Sequence, residues 1–340
     1  MQETIHTPIT KSVTTLKSTW ANIISKYTIW DRLFIQDNAF YFKANPDLSI
    51  KLSSFEKSDL EVDLEKLSWL GKFLVKQSPF AHILCAKPGG EEVTFYSLLN
   101  QSQGNMVSKK IDRKLLNIGS TPLNWRRDQV TQTIKQNIFN LITLGANNFT
   151  LLDIGAGGGF DGLEIQRCLA ELQYKSPELP IPEYKIINID PDEHWQKINR
   201  NISGLLFPNK QLTTRHNISI FDYLDNKQYK EELNSTEHLI ISCNGFAEFL
   251  SDNNLFKLLA GIKELLINTP KSATFVFPFA THNKKQEKTA KLTGFNYKAK
   301  KKISLEKIIN AYFDPDFKIE AIEAFSQLVF TIHKKNAPYG

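Results

Sequence analysis

A single stretch, Thr150-Leu-Leu-Asp-Ile-Gly-Ala-Gly-Gly-Gly-Phe-Asp-Gly162, restricts the fold more than any other part of the chain. Apolar and β-favouring residues lead into Asp153. Glycines follow at Gly155, Gly157, Gly158 and Gly159, and Ile165, Cys168, Leu169 and Leu172 then share one helical face. Strand, glycine turn and helix in that order put free backbone N–H groups and the positive end of a helix at the top of a sheet. Glycine suits such a turn because a Cβ would hold a nucleotide-like ligand away from the backbone. The spacing departs from the Gly-x-Gly-x-x-Gly of dinucleotide sites, whose third glycine would fall at Phe160. An acid stands instead two residues before the first glycine, giving Asp-x-Gly-x-Gly-x-Gly from Asp153 to Gly159.

That pattern resembles the first motif of class I S-adenosylmethionine (SAM) dependent methyltransferases. The resemblance implies an α/β fold with a seven-stranded, Rossmann-like sheet and SAM as cofactor. It places Asp153, Gly155, Ala156, Gly157 and Gly159 against the methionine part of SAM, and an acid at the end of the next strand on the ribose hydroxyls. The next strand here, Tyr184-Lys-Ile-Ile-Asn-Ile-Asp190, ends in such an acid, followed by Pro191. Leu212 to Asp222 reads as the third strand and its loop. Many members of the family place an adenine-binding acid there; Asn217 and Ser219 occupy the matching positions, with Asp222 just beyond. His238 to Gly245 reads as the fourth strand, ending at Asn244 on the side that faces the transferring methyl. A helix from Asp252 stops before Pro270, and Ala273–Phe277 is the fifth strand. Lys318–Phe325 and Gln327–His333 alternate as a closing antiparallel pair.

The rest of the chain sets limits. At 340 residues it is long enough for two domains, and its apolar and charged fractions, 41% and 23%, are those of a globular protein. Cys85, Cys168 and Cys243 are odd in number and match no metal-ligand spacing, so no metal site and a reduced, cytoplasmic setting are expected. Met1 to His6 show no signal peptide, and no apolar run reaches membrane-span length. Residues 1–105 read as a mainly helical region, with 106–340 as the SAM-binding domain and Gln101–Gly104 as the linker. Leu16, Trp20, Ile23, Ile24 and Tyr27 share one helical face. Leu60, Leu64, Leu67, Leu70 and Leu74 share another, behind a capping box at Ser58–Glu61. Trp30, Phe34, Phe40, Tyr41 and Phe42 form an aromatic cluster, ordinarily core. The functional option for this region is a lid or one wall of the acceptor pocket. Pro88-Gly89-Gly90 breaks the helical pattern. A helix is expected after Asp128, with Val130, Ile134, Ile138 and Leu141 on one side and Arg126 and Arg127 just before it; the resemblance implies arginines in reach of the SAM carboxylate, while an adjacent pair is more often solvated.

The chain also resembles a smaller group of bacterial class I methyltransferases of unassigned substrate. Asp112-Arg113, Ile118-Gly119, Arg126-Arg127 and the stretch Asn244 to Asn253 carry that resemblance, with Gly245, Glu248, Asp252 and Asn253 matching most closely and His282 as a further counterpart. Glu248 and His282 are the candidate general bases, needed only if the acceptor loses a proton. Glu248 has capping of the nearby helix as its rival role, and His282 a plain surface loop. The sequence lacks the Asn/Asp-Pro-Pro-aromatic turn of amino-methylating nucleic-acid enzymes. Ser242 replaces the proline that precedes a cytosine-C5 nucleophile, which leaves Cys243 a buried structural cysteine. The expected function is methyl transfer to a small-molecule or lipid-like acceptor. Nine lysines between Thr281 and Asn310, against Glu287 and Glu306, carry the net positive charge of the whole chain. They keep open RNA methylation through residues 284–302, and a SAM-binding protein without turnover is the third reading.

Overall fold

The computed structural model describes residues 8–25, 28–56, 58, 60–208, 213–233, 235–293 and 298–335. Of the residues named above, Met1 to His6, Tyr27, Asp59 and Leu212 lie outside these ranges. The elements in order are α1 (Pro8–Ser25), β1 (Leu33–Gln36), β2 (Ala39–Asn45), β3 (Leu48–Ser54), α2 (Trp69–Gln77), α3 (Pro79–Ala86), α4 (Glu91–Leu99) and α5 (Met106–Thr143). There follow β4 (Asn148–Ile154), α6 (Phe160–Lys175), β5 (Glu183–Ile189), α7 (Glu193–Leu206), β6 (Thr213–His216), α8 (Ile220–Asp225), α9 (Lys227–Glu231), β7 (His238–Ser242) and α10 (Asp252–Asn268). The chain closes with β8 (Ser272–Ala280), α11 (Lys284–Thr293), α12 (Lys302–Phe313), β9 (Phe317–Ala324) and β10 (Gln327–Lys334).

Seven strands form one sheet in the order β6-β5-β4-β7-β8-β10-β9. β4, β5, β6, β7 and β8 run parallel, while β10 pairs antiparallel with both β8 and β9. The apolar runs of β4, β5 and β7 follow from burial on both faces, and alternate side chains serve opposite layers. Leu152, Ile154, Ile187 and Ile241 pack with α8, α10 and α12. Phe149, Leu151, Ile186 and Ile240 pack with α1, α5 and α6. The strand order reverses between β4 and β7, so a crevice opens beyond their carboxyl ends.

The chain up to the end of α5 differs from the sequence reading in three ways. β1–β3 form an antiparallel sheet within the region expected to be mainly helical. Asp37 and Asn38 both take positive φ, as a two-residue hairpin turn of type I′ requires, and the aromatic residues around them alternate between faces. Phe40 and Phe42 are fully buried. The second helix starts at Trp69, with the Ser68 hydroxyl accepting the Gly71 N–H, and not at Ser58. α5 is continuous for 38 residues from its Asn105 cap, so Arg126, Arg127 and Asp128 lie inside a helix and do not precede one. Only its second half faces the sheet, which is why its apolar periodicity was visible only from Val130 onward.

The first half of α5 holds the N-terminal region through Asp112, which is fully buried. Its Oδ1 accepts the Ser78 hydroxyl at 2.6 Å and the Phe80 N–H at 2.9 Å; Oδ2 accepts the Tyr96 hydroxyl at 2.7 Å and the Gln103 N–H at 3.1 Å. One carboxylate thus joins α3, α4 and the α4–α5 connection. The segment expected as a linker, Gln101–Gly104, is tied down by it. No helix among the described residues is long and apolar enough to cross a membrane. Asp112→Ala would orphan four donors, two hydroxyls and two N–H groups, and should lower the free energy of unfolding by roughly 3 kcal/mol or more, read from the urea midpoint. An unchanged midpoint would refute the role given to Asp112.

Candidate functional site

The turn after β4 is stapled to the end of β5: the Gly155 and Ala156 N–H groups both donate to the Ile189 carbonyl, at 2.9 and 3.2 Å. Two further amides meet carboxylates. Gly157 N–H donates to Asp190 Oδ2 at 2.8 Å, and Gly158 N–H to Glu91 Oε1 at 3.2 Å. Asp190 closes β5 and also takes the Asp192 N–H through Oδ1. Glu91 is the first residue of α4, delivered by the Pro88–Gly90 turn that interrupts the helical pattern.

Glycine is required here for a reason the sequence did not show. Gly157 and Gly159 have φ of +50° and +62°. A Cβ on Gly157 would sit 3.0 Å from the Glu91 carboxyl carbon; one on Gly159 would be 2.3 Å from the Asn188 amide nitrogen and 2.5 Å from that of Asn199. The room left by the missing side chains is taken by other segments of the protein. Gly159 caps α6 against those asparagines and lines neither cavity described below, so its part is structural.

Two adjoining cavities meet at the turn. The larger, about 400 Å³, has Gly155, Gly157 and Asp190 at one end. Its other walls are mainly apolar: Phe80, Leu84 and Val93 from α3 and α4, Leu115, Ile118 and Leu123 from α5, and Trp195, Phe246 and Phe249. One face of α11, with Gln286, Thr289, Ala290 and Thr293, closes it, leaving Lys284, Lys285, Lys288 and Lys291 exposed on the other side. The smaller, about 50 Å³, is lined by Gly155, Ala156, Glu91, Asp153, Asp161, Asn244, Arg126 and Arg127 among others.

Negative charge is concentrated at the turn. Burial pushes the Asp153 carboxyl well above the usual range, and Asp161, Glu91 and Asp190 add to the effect. Asp161 is raised by burial against hydrogen bonds from Asn244 and Thr131. Asp190 is raised by burial, opposed by the two N–H groups it accepts. Glu91 is pushed up to about 8 by burial, with the nearby Asp190, Asp161 and Glu92 raising it further. No ion pair reaches any of Glu91, Asp153, Asp161 or Asp190 among the described residues.

Of the residues expected to bind cofactor, the structure brings Asp153, Gly155, Ala156, Gly157, Asp190 and Asn244 to these cavities. Pro191 is exposed and lines neither, Asn217 is exposed, and the Ser219 hydroxyl caps α8 by accepting the Asp222 N–H. Neither candidate base is placed as one. Glu248 is buried, with its two oxygens 2.9 and 3.0 Å from Arg126 Nη1. His282 is exposed, bonded to Glu287 and outside both cavities. Cys243 is buried and its thiol is pushed up by burial, as suits a structural cysteine. Sequence reasoning missed Glu91 and Asp161, and although it gave residues 1–105 a lid or wall as their functional option, it named none of Phe80, Leu84 and Val93. The helix break before Glu91 was the one signal available for the first of these.

The raised carboxyls fix the sign of a pH effect. Glu91 keeps its proton in the folded protein up to about 8 but loses it near 4.5 when unfolded, so its contribution is full below that lower value and is lost as pH rises through the upper one. Asp153, Asp161 and Asp190 act in the same direction. The thermal midpoint of the ligand-free protein should therefore fall more steeply between about pH 5 and 8 in the native chain than in Glu91→Gln. Equal slopes in the two would contradict the assignment.

No protein-family model matches the chain, and no curated protein matches it. Its fold is similar to that of a candidate methyltransferase from Thermobifida fusca YX, with 14% identity over 66% of this chain and 89% of that one and a TM-score of 0.45. It is also similar to Synechocystis PCC 6803 magnesium protoporphyrin IX methyltransferase with bound S-adenosylhomocysteine (12%, 68% and 89%, TM-score 0.39). A possible exported protein from Bordetella parapertussis gives 10%, 82% and 99%, with a TM-score of 0.49. By its own strand order and reversed closing hairpin, the chain has the seven-stranded class I methyltransferase fold.

Proposed function

We propose that the protein is a SAM-dependent methyltransferase acting on a small, largely apolar or lipid-like acceptor. The observation that carries this reading is the larger cavity: the glycine turn, whose amides are engaged within the protein, and Asp190 at one end, and apolar walls from α3, α4 and α5 along the rest. Asp190, which the resemblance sets on the ribose hydroxyls, lines this end together with Gly155 and Gly157, whose backbone carries no side chain. When bound, SAM supplies a methyl group already activated on a sulfonium. The residues of the chain then have three tasks: to grip the donor, to align the acceptor against it, and to keep water out. The wall formed by Phe80, Leu84, Phe246 and Phe249 serves the last two.

A small acceptor is favoured over a nucleic acid because α3, α4 and α11 cover the cavity, and α11 turns its lysines outward. Lys300 and Lys302 are further engaged by Asp252 and Glu323. Isothermal titration calorimetry should detect binding of SAM and S-adenosylhomocysteine. Gly157→Val should abolish it, because a side chain there is strained at its φ and collides with Glu91. With radiolabelled SAM and fractionated extract, label should enter the lipid or small-molecule fraction. Label in RNA, with affinity falling steeply as salt rises, would replace this reading by RNA methylation. Donor binding with no label transferred to any fraction would replace it by a SAM-binding protein without turnover.

A further inference from the structure

The smaller cavity is lined by side chains of both signs. Glu91, Asp153 and Asp161 bring carboxyls and Arg126 and Arg127 bring guanidiniums, around Gly155. The acids are not arranged for a metal: among the described residues no group of His, Cys, Asp or Glu is placed to hold one. Most of these charges are committed elsewhere. Arg127 pairs with Asp128 and lies over the Trp30 ring, Asp161 takes Thr131 and Asn244, and Asp153 is almost fully buried, with its carboxyl pushed well above the usual range. Two groups keep capacity. Arg126, 7% exposed, spends Nη1 on Glu248 and leaves its buried Nε without a partner. Glu91 accepts the Gly158 N–H through Oε1, while Oε2 has no hydrogen bond; the residue is half-buried and lines both cavities.

We infer that Glu91 recognises the α-ammonium at the amino-acid end of the donor, with Arg126 facing the same small cavity to take the carboxylate. The inference rests on the SAM reading and adds a residue from outside the sheet to the donor site. An ammonium carboxylate offers a cation to the Glu91 carboxyl, which no ion pair reaches among the described residues, and an anion to the side of Arg126 that Glu248 leaves unengaged. The cavity is the smaller of the two and adjoins the larger at Gly155, Glu91 and Arg126, so an end group of a ligand held in the larger one can enter it. Burial and neighbouring carboxyls hold the Glu91 carboxyl near 8 without ligand, a cost that a bound cation removes. An acid in the first turn of α4 is also favoured by the helix dipole, but that role asks nothing of Gly158 or of the cavity. On this assignment the donor site is incomplete without α4, and the region before α5 is part of the binding machinery.

The test is calorimetry on the full chain and on Glu91→Gln with three ligands: SAM, S-adenosylhomocysteine, and 5′-methylthioadenosine, which keeps the adenosine thioether and lacks the amino-acid end. Glutamine can still accept the Gly158 N–H. The variant should bind SAM and S-adenosylhomocysteine about tenfold more weakly or worse and methylthioadenosine within about twofold of the native chain. Unchanged methylthioadenosine binding also establishes that the variant is folded. Equal losses for all three ligands, or no loss for any, overturn the role of Glu91 and leave the donor reading standing. A native chain that binds none of the three overturns the donor reading and this inference with it.

Discussion

Two amides of the turn after β4 donate to carboxylates drawn from distant parts of the chain, Asp190 at the end of β5 and Glu91 at the start of α4. Everything around the site serves to hold that arrangement. The parallel pairing of β4 and β5 brings Ile189 alongside the turn, so that its carbonyl takes two further amides and fixes where Asp190 falls. Asp112 on α5 pins α3 and α4, which fixes where Glu91 falls. The site therefore depends on one sheet register and one buried carboxylate hub. Either can be lost only together with much of the packing between the N-terminal region and the sheet.

The residues that carried the narrower resemblance explain a second layer. Arg126 and Glu248 form a buried pair between α5 and the loop after β7, and a Cβ on Gly245 would fall 2.6 Å from Arg126 Nη2. Asn244, one residue earlier, donates to Asp161 at the start of α6. Ile118 and Gly119 lie on the cavity side of α5. These positions connect α5 to the loop that borders both cavities. A buried Arg–Glu pair contributes little net stability, but breaking it strands a charge, so it fixes one geometry. Glu248 thus holds Arg126 in place where the two cavities adjoin, which accounts for its position better than proton transfer does.

The sheet was legible in the sequence because its signals are local: apolar runs of strand length, a glycine turn, and an acid closing the next strand. β9 and β10 could be placed to within a residue from alternation alone. What escaped notice depended on packing between distant segments. The β1–β2 hairpin turns on Asp37-Asn38, an uncommon pair for such a turn, and its aromatic residues also fit a helical cluster. The first half of α5 lacks a single apolar stripe because it faces the cavity on one side and α3 and α4 on others. Glu91 and Asp161 stand in the first turns of α4 and α6, where acids are common, and only the fold brings them to Gly158 and Asn244. His282 and Glu248 looked catalytic for the opposite reason, since proximity to strand ends in sequence does not fix where a side chain points.

The division of charge between the two cavities has a consequence for the proposed chemistry. A carboxylate beside a sulfonium stabilises the donor before methyl transfer more than afterwards, when the positive charge has gone, and so improves binding while opposing the reaction. Three of the four acids at the turn line the smaller cavity, and the larger one is walled mainly by apolar side chains. Asp190 borders the larger cavity without lining the smaller, but its Oδ2 is already engaged by the Gly157 N–H and its Oδ1 by that of Asp192. On the proposed reading, binding energy is gathered at the end of the donor that does not react, and the region left for the acceptor stays weakly polar. An apolar wall there favours an acceptor that brings little charge of its own, and the same wall excludes the water that would otherwise compete for the methyl group.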